Sequence, residues 1–123
     1  MGSHETMILM VEDDADVHLV VREFLGLPGH RAKLLSALTV EEGIKHFRAH
    51  REQISLIILD ASLTRYVRRI DTLPILAEIK ASGFPRPVIS SSSDRELREQ
   101  MCTLGCTDAV EKGNLLILLR QHL

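Results

Sequence analysis

The chain has little with which to bind nucleic acid, cross a membrane or staple a secreted scaffold. Its formal net charge is only −2, which leaves no electrostatic footprint for nucleic acid or an acidic membrane surface. No apolar run approaches the ~20 residues of a membrane-spanning helix. Only two cysteines occur, Cys102 and Cys106, one helical turn apart. They read as small buried hydrophobes in a reducing cytoplasm rather than as a disulfide or a metal pair, since no signal-peptide pattern is seen. Internal repeats, linkers and low-complexity segments are missing as well.

What remains is ordinary globular material. With 123 residues, 45% of them apolar, the chain reads as one domain able to bury a sizeable core without metal or disulfide staples. The opening "MGSHET" reads as an expression-tag remnant over residues 1–6, which places the domain at 7–123 and sets His4 aside.

Apolar runs then alternate with amphipathic stretches five times. "MILMV" (7–11) is short and unbroken, as expected of a strand covered on both faces. Asp14 or Asp16 caps a helix whose face is Val17, Val20, Val21, Phe24 and Leu25, and "GLPGH" ends it. "RAKLLSA" is a weaker second strand. Thr39 stands three residues before Glu42, a capping-box spacing, and opens a helix carrying Val40, Ile44 and Phe47. "ISLIILD" (54–60) is the clearest strand. Leu73, Leu76 and Ile79 mark a third helix, "VISSS" a fourth strand, and Asp94 caps a helix with Leu97, Met101 and Leu104. "TDAVEK" is a short fifth strand and 115–123 a last helix, its leucines core-facing with room for a homodimer surface. Right-handed crossovers place such helices on both faces of a parallel sheet, giving a doubly wound α/β fold.

In open sheets of this kind, functional groups gather beyond the carboxyl ends of the strands. Those ends carry Glu12, Asp13 and Asp14, then Asp60, then Ser90 to Ser93, then Lys112. Unit charges about 4 Å apart repel by roughly 4 kcal/mol at an effective dielectric near 20. Crowded carboxylates therefore need protons, a lysine or a divalent cation, and Mg²⁺ suits a site of carboxylates, a carbonyl and water. Asp14 and Asp16 read as capping or solvated acids, and the serines mostly as turn residues. The histidines 18, 30, 46, 50 and 122 share no spacing and are expected at the surface.

At these positions the sequence resembles the response-regulator receiver domain of two-component signalling. The resemblance runs along the whole chain after residue 6: an acid pair in "VEDD" (Glu12, Asp13), an acceptor aspartate in "LIILD" (Asp60), Ser92 after "PV", and Lys112 in "DAVEK". It implies a flavodoxin-like (βα)5 sandwich with parallel strand order 2-1-3-4-5. By the same resemblance Asp60 takes a phosphoryl group from a histidine kinase or phosphotransfer protein, and Lys112 and Ser92 hold phosphoryl oxygens. Glu12, Asp13, Asp60 and the Ser62 backbone carbonyl surround Mg²⁺. The domain then switches conformation as a signalling module, catalysing only its own phosphorylation and dephosphorylation, with no nucleic acid or membrane as a direct partner.

The chain also departs from that pattern. After Asp60 the family has Pro four residues on and an Asp-Gly later; here "DASLTRYVRRIDTLP" has Thr64 at the Pro position, no Gly and extra residues, among them Arg65, Tyr66, Arg68 and Arg69. Lys112 is followed by Gly113 where the family has Pro, and Ala109 replaces the aromatic switch. A phosphorylation-silent pseudo-receiver acting by protein interaction is the alternative. An aspartate-based phosphatase is weaker: the "DAD" of Asp14 and Asp16 falls past the strand and leaves Asp60 without a role. An FMN module is weaker too, because the acids would repel its phosphate.

Overall fold

In the computed structural model, which describes residues 6–63 and 69–123, five strands and five helices alternate. Strand β1 (Thr6–Val11) pairs with β2 (Ala32–Ala37) on one side and β3 (Ile54–Leu59) on the other, both parallel. Strands β4 (Val88–Ser91) and β5 (Asp108–Val110) continue beyond β3, so the order is β2-β1-β3-β4-β5. With paired edges and covered faces, Ile8 to Val11 are wholly buried, which is why "MILMV" shows no alternation.

Two apolar layers flank the sheet. Leu9, Val11, Ile57 and Leu59 meet Phe47 of α2 (Val40–His50), Ile75, Leu76 and Ile79 of α3 (Leu73–Ala81) and Met101 of α4 (Arg95–Thr103). Ile8, Met10, Leu56, Ile58 and Ile89 meet Val21, Phe24 and Leu25 of α1 (Ala15–Leu25) and Leu115, Leu118 and Leu119 of α5 (Leu115–Gln121). None of the helices in the described residues is long and apolar enough to cross a membrane.

The caps fall where the sequence places them. Asp14, Thr39 and Asp94 are N-caps whose side chains accept from the backbone amides of Asp16, Glu42 and Leu97. Several faces are rotated from expectation. Val20 is exposed, and His18 fills the buried slot one turn before Val21. Leu73 is exposed because it opens α3, whose stripe is Ile75, Leu76 and Ile79. Leu104 caps α4 in solvent; the chain reverses at Gly105, φ +130°, and Cys106 takes the buried position. Cys102 is exposed, so only Cys106 acts as a core hydrophobe. Ser90 and Ser91 lie buried in β4 rather than in a turn. Among the described histidines, His18 is buried and His30, His46 and His50 are half-buried; only His122 of these stands at the surface.

Helix α2 reaches the sheet through Gly43. A Cβ built there would stand 2.7 Å from Val11 Cγ2 and 2.9 Å from Ile75 Cδ1. Gly43→Ala would gain about 1 kcal/mol of helix propensity but overpack a site that costs roughly 1–3 kcal/mol to open. We expect net destabilisation of about 1 kcal/mol, read as a lower urea midpoint at unchanged m-value. A raised midpoint would show that α2 can lift off without penalty.

Candidate functional site

The sheet register sets the site. Asp60 follows β3, and its amide donates to the Val11 carbonyl at 2.9 Å, while the Glu12 amide donates to the Ala37 carbonyl at 3.0 Å. The ladder thus carries one step past the strands and holds both carboxyls at the same edge. Oxygens of Glu12, Asp13 and Asp60 lie within 4.8 Å of one another, with Glu12 and Asp60 buried and Asp13 exposed. Lys112 begins a 3-10 turn (Lys112–Asn114) two residues after β5. Its Nζ donates to Asp60 Oδ2 at 2.9 Å and stands 3.0 Å from Glu12 Oε1. One ammonium therefore bridges two buried acids.

Side chains of the following helices clamp the backbone at these strand ends. His18 of α1 lies with Nε2 2.7 Å from the Glu12 carbonyl, six residues back. The Thr72 hydroxyl, wholly buried at the start of α3, donates to the Asp60 carbonyl at 2.9 Å. Arg98 of α4 donates to the Ser92 carbonyl at 2.6 Å. The Ser92 hydroxyl itself accepts from the Asp94 amide at 3.1 Å. Beyond Asp60, the Asp71 amide donates to the Ala61 carbonyl at 2.7 Å, and Asp71 Oδ2 accepts from the Leu63 amide at 2.7 Å. The exposed Arg69 pairs with Asp71 at 2.5 Å. Arg65, Tyr66 and Arg68 lie outside the described residues.

The structure thus gathers Glu12, Asp13 and Asp60, with Lys112 in contact with Glu12 and Asp60. It places Ser92 just past β4, on the neighbouring strand, and Ser62 half-buried two residues beyond Asp60. Asp14 serves as the α1 cap and Asp16 is exposed in its first turn, which removes both from any phosphatase-like pair. Sequence reasoning missed His18, Thr72, Asp71 and Arg98. A polar residue inside an apolar stripe was the available signal for His18, and a threonine before a helix for Thr72. Yet Thr72 makes no side-chain cap bond, because its hydroxyl is turned to Asp60.

The electrostatics follow from burial. Glu12 is raised from 4.5 to about 8, first by desolvation, then by the charge of Asp60 and a hydrogen bond with Asp13, with Lys112 pulling it back. Asp60 is raised by desolvation, against the opposing pull of Lys112. Desolvation would lower Lys112, but its bonds to Asp60 and Glu12 outweigh that and hold it above its ordinary value. At neutral pH Glu12 therefore keeps its proton. The folded state holds that proton through a range in which the unfolded chain has released it, so stability falls as pH rises. For metal-free protein we expect a loss of order 3 kcal/mol attributable to Glu12 between pH 4.5 and about 8. Urea titrations in EDTA should show Glu12→Gln with a much flatter profile; parallel curves for the two proteins would refute the raised carboxyl.

Comparisons with known proteins now bear on this arrangement. No family model matches the chain. Over its full length it is 30% identical to the "Probable C4-dicarboxylate response regulator DctR" of Bacillus subtilis, and it spans about half (53%) of that relative. The receiver domain of NtrX from Brucella abortus superposes with a TM-score of 0.71 at 27% identity, covering 93% of this chain and 94% of that one. The chain has the receiver fold and resembles response regulators along its whole length. The TrrA response regulator of Thermotoga maritima, solved with Mg²⁺ and BeF, shares the receiver fold at a TM-score of 0.74 and 21% identity, covering 96% and 99%. The strand order expected of a receiver is the one observed.

Proposed function

We propose that this chain is a receiver domain that accepts a phosphoryl group on Asp60 from the phosphohistidine of a histidine kinase or phosphotransfer protein, in the cytoplasm and with Mg²⁺. The observation that carries the reading is the Lys112 ammonium bridging Asp60 and Glu12 at the edge where Asp13 joins them. In this reading an Asp60 carboxylate oxygen attacks phosphorus, the P–N bond to the imidazole breaks, and the nitrogen leaves with that electron pair. Lys112 and the Ser92 hydroxyl hold phosphoryl oxygens, so the chain contributes positioning and charge.

The residues present fit Mg²⁺. The three carboxyls are hard oxygen donors close enough to converge, and two of them are buried with a single lysine between them. Such crowding is relieved by a divalent cation. Glu12, Asp13, Asp60 and the Ser62 carbonyl would hold it, and it would supply neutralisation of the charge on the transferring group. The structural neighbour carrying Mg²⁺ and BeF supports the same reading.

The test is intact mass after acetyl phosphate. With Mg²⁺ the protein should gain one phosphoryl group, and in excess EDTA it should gain none. No gain in Mg²⁺ would favour the phosphorylation-silent interaction module instead.

A further inference from the structure

Of the three helix-borne side chains that clamp a strand end, Arg98 differs in kind. His18 and Thr72 fix residues that would stay still during transfer. Arg98 holds Ser92, the residue whose hydroxyl would move toward a new phosphoryl group. The bond from its guanidinium to the Ser92 carbonyl is short, 2.6 Å, and half-buried. It closes a ring: the Asp94 amide donates to the Ser92 hydroxyl, the Leu97 amide to the Asp94 carboxylate, and the Arg98 amide to the Asp94 carbonyl at 3.0 Å. Ser92 is thus tied at both its oxygens to the start of α4. On the other side of β4, Ala109 pairs with Ser90 and offers only a methyl group to respond to a shift.

We propose that Arg98 is a positioning residue that ties the Ser92 peptide to α4, so that displacement of Ser92 toward a phosphoryl group on Asp60 is carried into α4. This rests on the phosphoacceptor reading above. A guanidinium suits the task because it offers several donors in a rigid plane and stays charged throughout. If the carbonyl moves, either the bond breaks or the first turn of α4 follows.

Amide hydrogen exchange of the full chain tests the tie, with Mg²⁺ and beryllofluoride as the probe and Arg98→Met and Arg98→Lys as variants. In the wild type the probe should alter exchange at 92–94 and across α4 together. In Arg98→Met the change at 92–94 should persist while the α4 response drops about fivefold, as for loss of one hydrogen bond. Arg98→Lys, which keeps a charged donor, should recover part of it, at an unchanged melting temperature. An α4 response in Arg98→Met equal to that of the wild type would overturn the proposal. Acetyl phosphate labelling separates the two failures: normal labelling with an intact α4 response sinks the Arg98 tie alone. Wild-type protein that takes no phosphoryl group sinks the phosphoacceptor reading and the tie with it.

Discussion

Asp60→Asn should abolish the mass gain from acetyl phosphate altogether, with no residual labelling elsewhere. Asparagine keeps the shape of the buried side chain and can still turn an oxygen toward Lys112, so the fold should be retained. It lacks the second carboxylate oxygen, and its amide cannot form an acyl phosphate. The same change removes the charge that, after desolvation, contributes most to raising Glu12. Glu12 should then titrate lower, and the loss of metal-free stability toward pH 8 should shrink. Labelling that persisted in Asp60→Asn would place the acceptor on another residue and unseat the whole assignment.

Lys112→Met is the second large effect. Methionine replaces the stem of the lysine but offers no cation where charge gathers on the transferring phosphoryl group. Loss of one such preorganised donor typically costs ~10²–10³ in rate, and we expect acetyl phosphate labelling to slow by that factor. Mg²⁺ affinity should not weaken, because Lys112 competes with the cation for Glu12 and Asp60. Metal-free stability above pH 8 should fall, since two buried carboxylates lose their shared counter-charge. The Lys112 side chain is 29% exposed, so about 1–2 kcal/mol is expected rather than the ~3–5 kcal/mol of a fully buried pair. A labelling rate within about threefold of wild type would show that Lys112 is only a structural partner.

Most of this site could be read before any coordinates. A strand buried on both faces leaves an unbroken apolar run, and the first polar residue after it is forced to the sheet edge. That rule located Glu12 and Asp60, whereas Lys112, which follows Glu111 after a short strand opening on the exposed Asp108, was placed by the company of the other strand ends; the caps at Asp14, Thr39 and Asp94 obey equally local chemistry. The helix faces were less legible. A three-to-four spacing fits two neighbouring stripes, so Val20, Leu73 and Leu104 were assigned to the core when His18, Ile75 and Cys106 fill it. The clamps at Glu12, Asp60 and Ser92 were not legible at all. Their acceptors are backbone carbonyls, which every residue has, so no pairing of side-chain types announces them. Nor does sequence say which acid holds the proton. That depends on Glu12 being buried beside the charge of Asp60.

The hydrogen bonds around Asp71 have a consequence in polymer terms. They join Ala61 and Leu63 to Asp71, so the backbone before and after this place meets again beside Asp60. Holding two chain ends together costs more as the segment between them lengthens, but only by about 0.6 kcal/mol for each doubling of its length. Because the ends are already joined, extra residues can accumulate beside the acceptor aspartate at little thermodynamic cost. The Thr72 hydroxyl still reaches the Asp60 carbonyl across a separation of 12 positions. Length and composition at this place are therefore free to drift, or to be rewritten by design, while Asp60 stays where the sheet puts it.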